Sequence, residues 1–243
     1  MGDGAPVRTT PAGAPPYSRA VPGRLPLFPL GMVLFPGLVL PLHVFEDRYR
    51  ALIRDLLELP ENERRFGVVA IREGREVGSD GITALHEVGC TAQLRQVETY
   101  DDGRADVVTV GADRFRLTSL HDDKPYFTAD VEWLPENDDH PAEAGLLDAA
   151  VRTSFGDYLA ALSGASGSEV ELPDLPVEPL VLSYLIAATM LLDLDDRQGL
   201  LAEPDGRARL RGELSLLRRE AAFLRVLAAA PAPELTRTPI SPN

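Results

Sequence analysis

The stretch Leu25–Ile53, LPLFPLGMVLFPGLVLPLHVFEDRYRALI, decides the fold of this 243-residue chain. It contains two short apolar runs, Leu25–Leu30 and Leu38–Val44, which are joined by a turn rich in glycine and proline at Gly31–Gly37. Pro26 has no N–H to give to a neighbouring strand, so the first run predicts an edge strand or a strand that closes a barrel. The second run is apolar at nearly every position, which predicts a strand covered on both faces.

An amphipathic helix is predicted from about Glu46. Apolar side chains recur there at helical spacing with charged residues between them, namely Tyr49, Leu52, Ile53, Leu56 and Leu57. From Arg64 to Leu134 the pattern changes to short runs of β-prone residues. Several such strands at close spacing predict a small, partly closed barrel or a sandwich. The predicted strands are Phe66–Ile71, Ile82–Leu85, Val88–Val97, Ala105–Val110, Arg114–Leu120 and Tyr126–Leu134.

Two segments of this β-rich region give more specific predictions. Tyr100–Gly103 is a hairpin signal, because Asp-Gly supplies the positive φ that a tight turn needs. In Arg114–Leu120 the alternation places Phe115 and Leu117 inside and the two arginines, Arg114 and Arg116, outside.

After the polar linker Glu136–Pro141 the apolar period becomes helical, which predicts a bundle. The predicted helices are Ala142–Ala161, Glu178–Leu192, Asp195–Ala202 and Gly206–Ala230. The apolar stripe of the second is Val181, Tyr184, Leu185, Ala188, Leu191 and Leu192. We therefore expect an α+β fold: a disordered leader at 1–23, a β-rich lobe at 24–135, a helical bundle lobe at 141–230 and a disordered tail at 231–243.

Composition narrows the function classes. The apolar fraction of 44% and charged fraction of 26% suit a globular domain, and the net charge of −14 argues against nucleic acid as a partner. No stretch reaches the roughly 20 apolar residues of a membrane span, and the N-terminus lacks the apolar segment of a signal peptide. The sequence predicts a cytoplasmic protein with no membrane partner.

Residues that could carry chemistry are few and scattered. Cys90 is the single cysteine, and its setting favours a buried small hydrophobe. The four histidines, His43, His86, His121 and His140, lack the spacing of a zinc-protease helix, and the acidic clusters lack an EF-hand pattern. Neither a metal site nor a cofactor is predicted.

Three segments resemble the amino-terminal, substrate-binding domain of the Lon protease family. The first is LPLFPL…LFPG…LPLHVFEDRYRAL at the start of the chain. The second comprises Gly89–Leu94, Asp102–Gly103 and the Gly-x-x-Arg-Phe element of Gly111–Leu117. The third is Leu192–Asp205 with the helix that follows it. The resemblance covers about residues 24–230 and implies a PUA-like β-rich lobe followed by a helical lobe.

The resemblance also implies substrate recognition without catalysis. The sequence contains no Gly-x-x-x-x-Gly-Lys-Ser/Thr phosphate loop, and its one lysine, Lys124, falls in a predicted turn rather than beside a serine nucleophile. We expect a standalone, non-enzymatic and ATP-independent member that binds unfolded polypeptide segments or a protein partner such as a protease. An adaptor or substrate receptor would fit. A PUA-like protein that binds a small molecule or RNA is the alternative, and an enzyme with an unrecognised site is another.

The candidate substrate-binding residues lie in the turn after the first apolar run, where polar side chains would be usual. They are Leu30, Met32, Leu34, Phe35, Pro36 and Leu38. An apolar groove there could accept segments of unfolded chains. The competing interpretation, that these side chains pack against the helical lobe, stays open from the sequence. Arg114 is interpreted as a structural partner of an acid.

Overall fold

The computed structural model describes residues 24–74, 82–136, 144–168 and 174–229. In those ranges the chain forms strands β1 (Leu25–Leu30), β2 (Val39–Val44), β3 (Arg65–Gly74), β4 (Ile82–Leu85), β5 (Val88–Thr99), β6 (Ala105–His121) and β7 (Thr128–Leu134). The helices are α1 (Asp47–Leu57), α2 (Ala144–Ser166), α3 (Pro179–Thr189), α4 (Leu194–Ala202) and α5 (Gly206–Ala229), with a short 3-10 helix at Glu61–Glu63. The predicted α+β class is confirmed.

Strand β1 closes a ring of strands. It pairs in parallel with β3, from Leu27 opposite Gly67 to Leu30 opposite Ala70, and antiparallel with β7 at Leu25 and Pro26. The remaining strands run β7-β6-β5-β3, so the path returns to its start. The prediction that Leu25–Leu30 closes the β-rich lobe is confirmed.

The long strand β6 replaces two predicted strands. The prediction ended one strand at Val110 and began another at Arg114, whereas the structure continues through Gly111 to His121. A Cβ atom on Gly111 would overlap the carbonyl oxygen of Phe35, so this close approach requires glycine. The glycine marks a contact between backbones rather than the end of a strand.

Strand β2 corrects the prediction of a strand covered on both faces. Among the described residues it pairs with β6 alone, from Val39 opposite Val110 to Val44 opposite Ala105, and lies off the ring. Leu40 and Val44 are buried, whereas Val39, Pro41 and His43 are exposed. One face of β2 therefore packs on the core while the other is open to solvent.

Helix positions agree with the sequence better than helix faces do. The amphipathic α1 begins one residue after the expected start and buries Tyr49, Leu52, Ile53 and Leu56 as predicted. The stripe predicted for α3 is wrong in part: Tyr184 is buried as predicted, whereas Val181 is exposed, and Leu191 lies beyond the helix and is also exposed. Residues 179–189 are apolar around the whole helix, so their spacing does not indicate which side is buried. The buried residues of α3 are Leu182, Ser183, Tyr184, Ile186 and Ala187.

One continuous hydrophobic core joins the strands to the helices. It extends from Phe28 and Phe35 near the start of the chain to Phe155 on α2, Leu182 on α3 and Leu217 on α5. The expected division into lobes is thus a division by secondary structure around a shared core. The predicted leader and tail lie outside the described residues. None of the described helices is both long and apolar enough to cross a bilayer.

Candidate functional site

The turn proposed from the sequence as a binding site is divided between core and surface. Leu30, Leu34 and Phe35 are buried, and the Phe35 ring lies 6.2 Å from the ring of Tyr184 on α3. These three side chains pack against the rest of the protein, and Leu30 alone of the three also lines a groove, which lies between β1 and β2. Pro36 and Leu38 are half-buried, and Met32 is 38% exposed.

The exposed apolar side chains of this region lie instead on β2 and just beyond it. Val39 is 64% exposed and Phe45 is 51% exposed, while Pro41 between them is also exposed. Val110 and Val108 on β6 stand directly opposite Val39 and Pro41 and are half-buried. Residues that are paired in this way share a face of the sheet. We call the surface formed by Val39, Pro41, Phe45, Val108 and Val110 the β2 face.

A polar cluster borders the β2 face. Asp106 accepts a hydrogen bond from the Tyr100 hydroxyl at 2.5 Å, and its other carboxylate oxygen lies 2.5 Å from Nδ1 of His43. The Tyr100 hydroxyl and then His43 hold the pKa of Asp106 below its ordinary value. A histidine paired with a carboxylate can act as a base, but no serine or cysteine is among the residues that these contacts bring together. The contacts hold these three side chains together at the border of the apolar surface.

A small groove of about 180 Å³ lies between β1 and β2. Tyr49 of α1 contributes to it and stacks on Phe28 with ring centroids 3.9 Å apart. Phe45 lines the groove as well, so the groove and the β2 face are continuous. The other residues that line the groove are Pro29, Leu30, Leu42, His43, Val44 and Glu46.

Prolines occupy the strand edges that flank this groove. The N–H of Gly111 donates to the carbonyl oxygen of Leu38 at 2.8 Å, so by alternation the backbone groups of Pro41 point away from β6. Leu27 donates its N–H to Phe127 at 2.8 Å, and the same alternation directs Pro29 away from β3. Each proline removes an N–H that would otherwise face the groove, which discourages pairing with another strand. The β2 face thus differs from an ordinary open strand edge, because a proline interrupts its row of backbone donors.

Comparison with known proteins assigns this chain to a family. Residues 24–219 match the family model described as the ATP-dependent protease La (LON) substrate-binding domain. The chain belongs to this family. A Lon protease of Anaeromyxobacter dehalogenans is 29% identical over 232 residues, which are 93% of this chain and 27% of that protein. The Lon protease of Escherichia coli strain K12 is 27% identical over 204 residues, covering 84% of this chain and 26% of that protein.

Solved structures of Lon N-terminal domains share the fold. The Lon N-terminal domain protein from Xanthomonas campestris has a TM-score of 0.56 and 26% identity, and the match covers 79% of this chain and 98% of that one. The N-terminal domain of a Mycobacterium avium complex Lon protease has a TM-score of 0.55 at 19% identity, which shows a common fold. The chain thus spans about a quarter of the Lon proteases that it matches but nearly all of an isolated Lon N-terminal domain.

In this Lon-family domain a buried polar cluster connects the ring to the helices. Arg114 is 1% exposed, donates Nη1 to the carbonyl oxygens of Leu201 and Glu203, and donates Nε to Glu136. Tyr184 donates its hydroxyl to the same oxygen of Glu136. The expectation that Arg114 points outward is wrong, while its interpretation as the structural partner of an acid is confirmed. The alternation rule fails because helices cover the face of β6 that carries Arg114.

Arg209 of α5 extends this cluster. Its guanidinium carbon lies 4.0 Å from the centre of the Tyr184 ring, and its Nε donates to the Leu200 carbonyl at 2.9 Å. Glu213, one turn further along α5, is fully buried, and neither of its carboxylate oxygens has a hydrogen-bond partner in the described structure. Burial raises its pKa well above the ordinary value, against the opposing charge of Arg209. The amphipathic pattern of α5 did not reveal these buried charges.

The remaining residues that were candidates for catalysis or metal binding lie apart from one another. Cys90 is buried, as predicted, and burial raises the pKa of its thiol. Lys124 lies 3.2 Å from Asp55 and 3.0 Å from the Tyr126 hydroxyl in an exposed ion pair. His140 lies outside the described residues. Within the described ranges, no three histidine, cysteine or acidic side chains are arranged to hold a metal ion.

Proposed function

We propose that this Lon-family domain is a cytoplasmic, non-enzymatic module that binds apolar segments of non-native polypeptides. Membership of the Lon substrate-binding domain family supports a role in substrate recognition. The observation that carries the proposal is the exposed β2 face, where Val39 and Phe45 leave more than half of their surface open to solvent. Exposed apolar surface of this kind marks interaction sites on globular proteins.

The proposal places recognition beside the predicted turn rather than within it. Of the six residues predicted from the sequence, Met32 is exposed, and Pro36 and Leu38 are partly accessible. Binding through side chains rather than backbone pairing suits a receptor for varied sequences, because an apolar surface contacts many different apolar segments. Presentation of the captured segment to a protease, as an adaptor, belongs to the same proposal.

The test is binding of the purified protein, without ATP, to fluorescent apolar peptides and to a reduced, unfolded model protein. Phe45→Asp and Val39→Asp are expected to weaken binding about tenfold or more, because each places a charge on the apolar contact. Leu120→Asp is the matched control, since Leu120 is 48% exposed on the far part of β6, beside β7. It should change affinity less than twofold.

Circular dichroism would establish that each variant folds before its affinity is compared. The proposal fails if the wild-type protein binds neither probe. It also fails at this surface if the control weakens binding as much as Phe45→Asp does. Phe35→Asp is unsuitable as a test, because Phe35 is fully buried and a charge there would unfold the protein.

A further inference from the structure

A second and larger groove is lined by none of the five residues of the β2 face. It has a volume of about 820 Å³ and is bounded by the end of α1, the 3-10 helix at Glu61–Glu63, and strands β3, β5 and β6. Pockets for small ligands have volumes of about 300–1,000 Å³, so the groove is large enough to hold a ligand. The chemistry of its walls indicates which kind.

The groove combines an apolar base with a small excess of positive charge. Leu57, Leu94 and Val97 contribute apolar surface. Three arginines, Arg64, Arg65 and Arg95, line it together with two carboxylates, Glu61 and Asp113. A local excess of cations is unexpected in a chain whose net charge is −14. It favours an anionic group attached to an apolar body.

Arg64 is held in place by two backbone carbonyl oxygens at the end of α1 and just beyond it. Its Nε donates to the carbonyl oxygen of Leu59 at 2.8 Å, and Nη2 donates to that of Leu57 at 3.2 Å. The third nitrogen, Nη1, has no hydrogen bond to the described residues. A guanidinium that is already ordered loses little freedom when it binds a carboxylate.

Two β-bulges place further residues at the groove. The pairing of β5 with β6 shifts register between Leu94 and Gln96, so Arg95 is the additional residue there. It shifts again between Cys90 and Ala92, opposite the Ala112–Asp113 segment, where the Thr91 hydroxyl accepts the N–H of Asp113 at 2.9 Å. Bulges often redirect side chains toward functional sites, and residues from both of these bulges line the groove.

Arg65 is partly neutralised within the groove. Its guanidinium lies 3.5 Å from Asp113 and 5.3 Å from the centre of the Trp133 ring. The exposed Glu61 balances part of the remaining charge. Arg64 and Arg95 therefore supply the charge available to a ligand.

We propose that this groove binds a carboxylate carried on an apolar body, and specifically the free carboxyl terminus of an apolar polypeptide segment. The inference rests on the proposed function, because it assigns a second contact to the same polypeptide substrates. A free fatty carboxylate has the same chemistry, so the experiment separates the two sources.

The experiment compares two fluorescent apolar nonapeptides, identical except that one ends in a carboxylate and the other in an amide. The carboxylate peptide should bind about tenfold or more tightly, which is the effect expected of a charged hydrogen bond. Arg64→Gln and Arg95→Gln should each reduce that difference. Arg116→Gln is the matched control, since Arg116 is an exposed arginine on β6 that does not line the groove. Arg95→Gln removes an exposed side chain and so protects the test against misfolding of Arg64→Gln.

Octanoate is added as a competitor, and an oligoribonucleotide is tested as a separate probe. Direct binding of octanoate, measured by calorimetry, with no binding of the carboxylate peptide would identify a small carboxylate as the ligand source and overturn the inference. Equal affinity for the two peptides, with both losing affinity in Phe45→Asp, overturns the inference while the proposed function stands. If the protein binds neither peptide and does not bind octanoate directly, both the inference and the proposed function fail. Binding of the oligoribonucleotide through Arg64 and Arg95 would replace the carboxylate as the ligand.

Discussion

Arg114 and Leu201 are joined by a hydrogen bond of 2.8 Å between the ring of strands and the helices, and this contact is buried. The same guanidinium donates to Glu203 and Glu136, so a single side chain bonds to two separate segments, the end of α4 and the residue Glu136 that follows β7. A buried guanidinium is stable when its donors are satisfied. The connection between the ring of strands and the helices therefore includes a polar residue within the apolar core.

Arg114→Ala is expected to lower the free energy of unfolding by about 3–5 kcal/mol, because it leaves buried carbonyls and Glu136 without a donor. Urea denaturation followed by circular dichroism measures the loss. Arg116→Ala, on the neighbouring exposed position, should cost less than about 1 kcal/mol. If Arg114→Ala does not fold, Arg114→Lys should fold with a smaller loss. Equal effects at the two positions would contradict the structural role of Arg114.

Glu213→Gln is expected to stabilise the protein at pH 8 by about 1–3 kcal/mol, because it replaces a buried carboxylate that lacks hydrogen-bond partners. The folded state raises the pKa of Glu213. The wild-type protein is therefore most stable below the ordinary carboxyl pKa, and its free energy of unfolding falls as the pH rises through the higher folded-state pKa. The advantage of glutamine should accordingly shrink toward zero near pH 4.

Urea denaturation of both proteins between pH 4 and pH 8 provides this measurement. Glu132→Gln is the control, since Glu132 is 62% exposed and pairs with Arg116 at 3.7 Å. It should not show the same pH-dependent gain. A Glu213→Gln protein that is less stable than the wild type at every pH would mean that the carboxylate has a favourable partner.

Pro41→Val is expected to increase self-association, because it restores an N–H on the open edge of β2. Sedimentation velocity over a range of protein concentrations would detect it. Val39→Thr alters the same strand without adding a backbone donor and should leave the protein in its original state of association. An unchanged sedimentation coefficient for Pro41→Val at all concentrations would show that Pro41 does not protect this edge.

Replacing either of two glycines by alanine should change the stability of the protein, but in opposite directions. Gly103 has φ +82° in the β5–β6 turn, and a Cβ there would overlap the guanidinium of Arg50, so Gly103→Ala should destabilise by about 1–2 kcal/mol. Gly199 lies inside α4 with open space around its Cα, so Gly199→Ala should stabilise by about 0.5–1 kcal/mol. Thermal unfolding of both variants measures the pair. Shifts of the melting temperature in the same direction would contradict this assignment.

The sequence by itself determined the order and kind of the elements, except that it divided the single strand β6 into two. Proline in Leu25–Leu30 predicted a closing strand, the Asp-Gly pair predicted the β5–β6 turn, and helical spacing predicted α1, because each signal depends on local backbone geometry. The resemblance to the family was also visible in the sequence, because each segment that carries it is short and local in the chain. These features can be predicted without knowing which elements pack against one another.

Only the tertiary structure decided which faces are buried and where a ligand has access. It buried Phe35 and Arg114, exposed Val39 and Phe45, and brought Arg64 and Arg95 to one groove. Two apolar runs of similar composition, Leu25–Leu30 and Val39–Val44, received different environments because one closes the ring and the other pairs on one side. Burial depends on contacts between residues far apart in the chain, and apolar composition alone does not distinguish a core strand from an exposed binding surface.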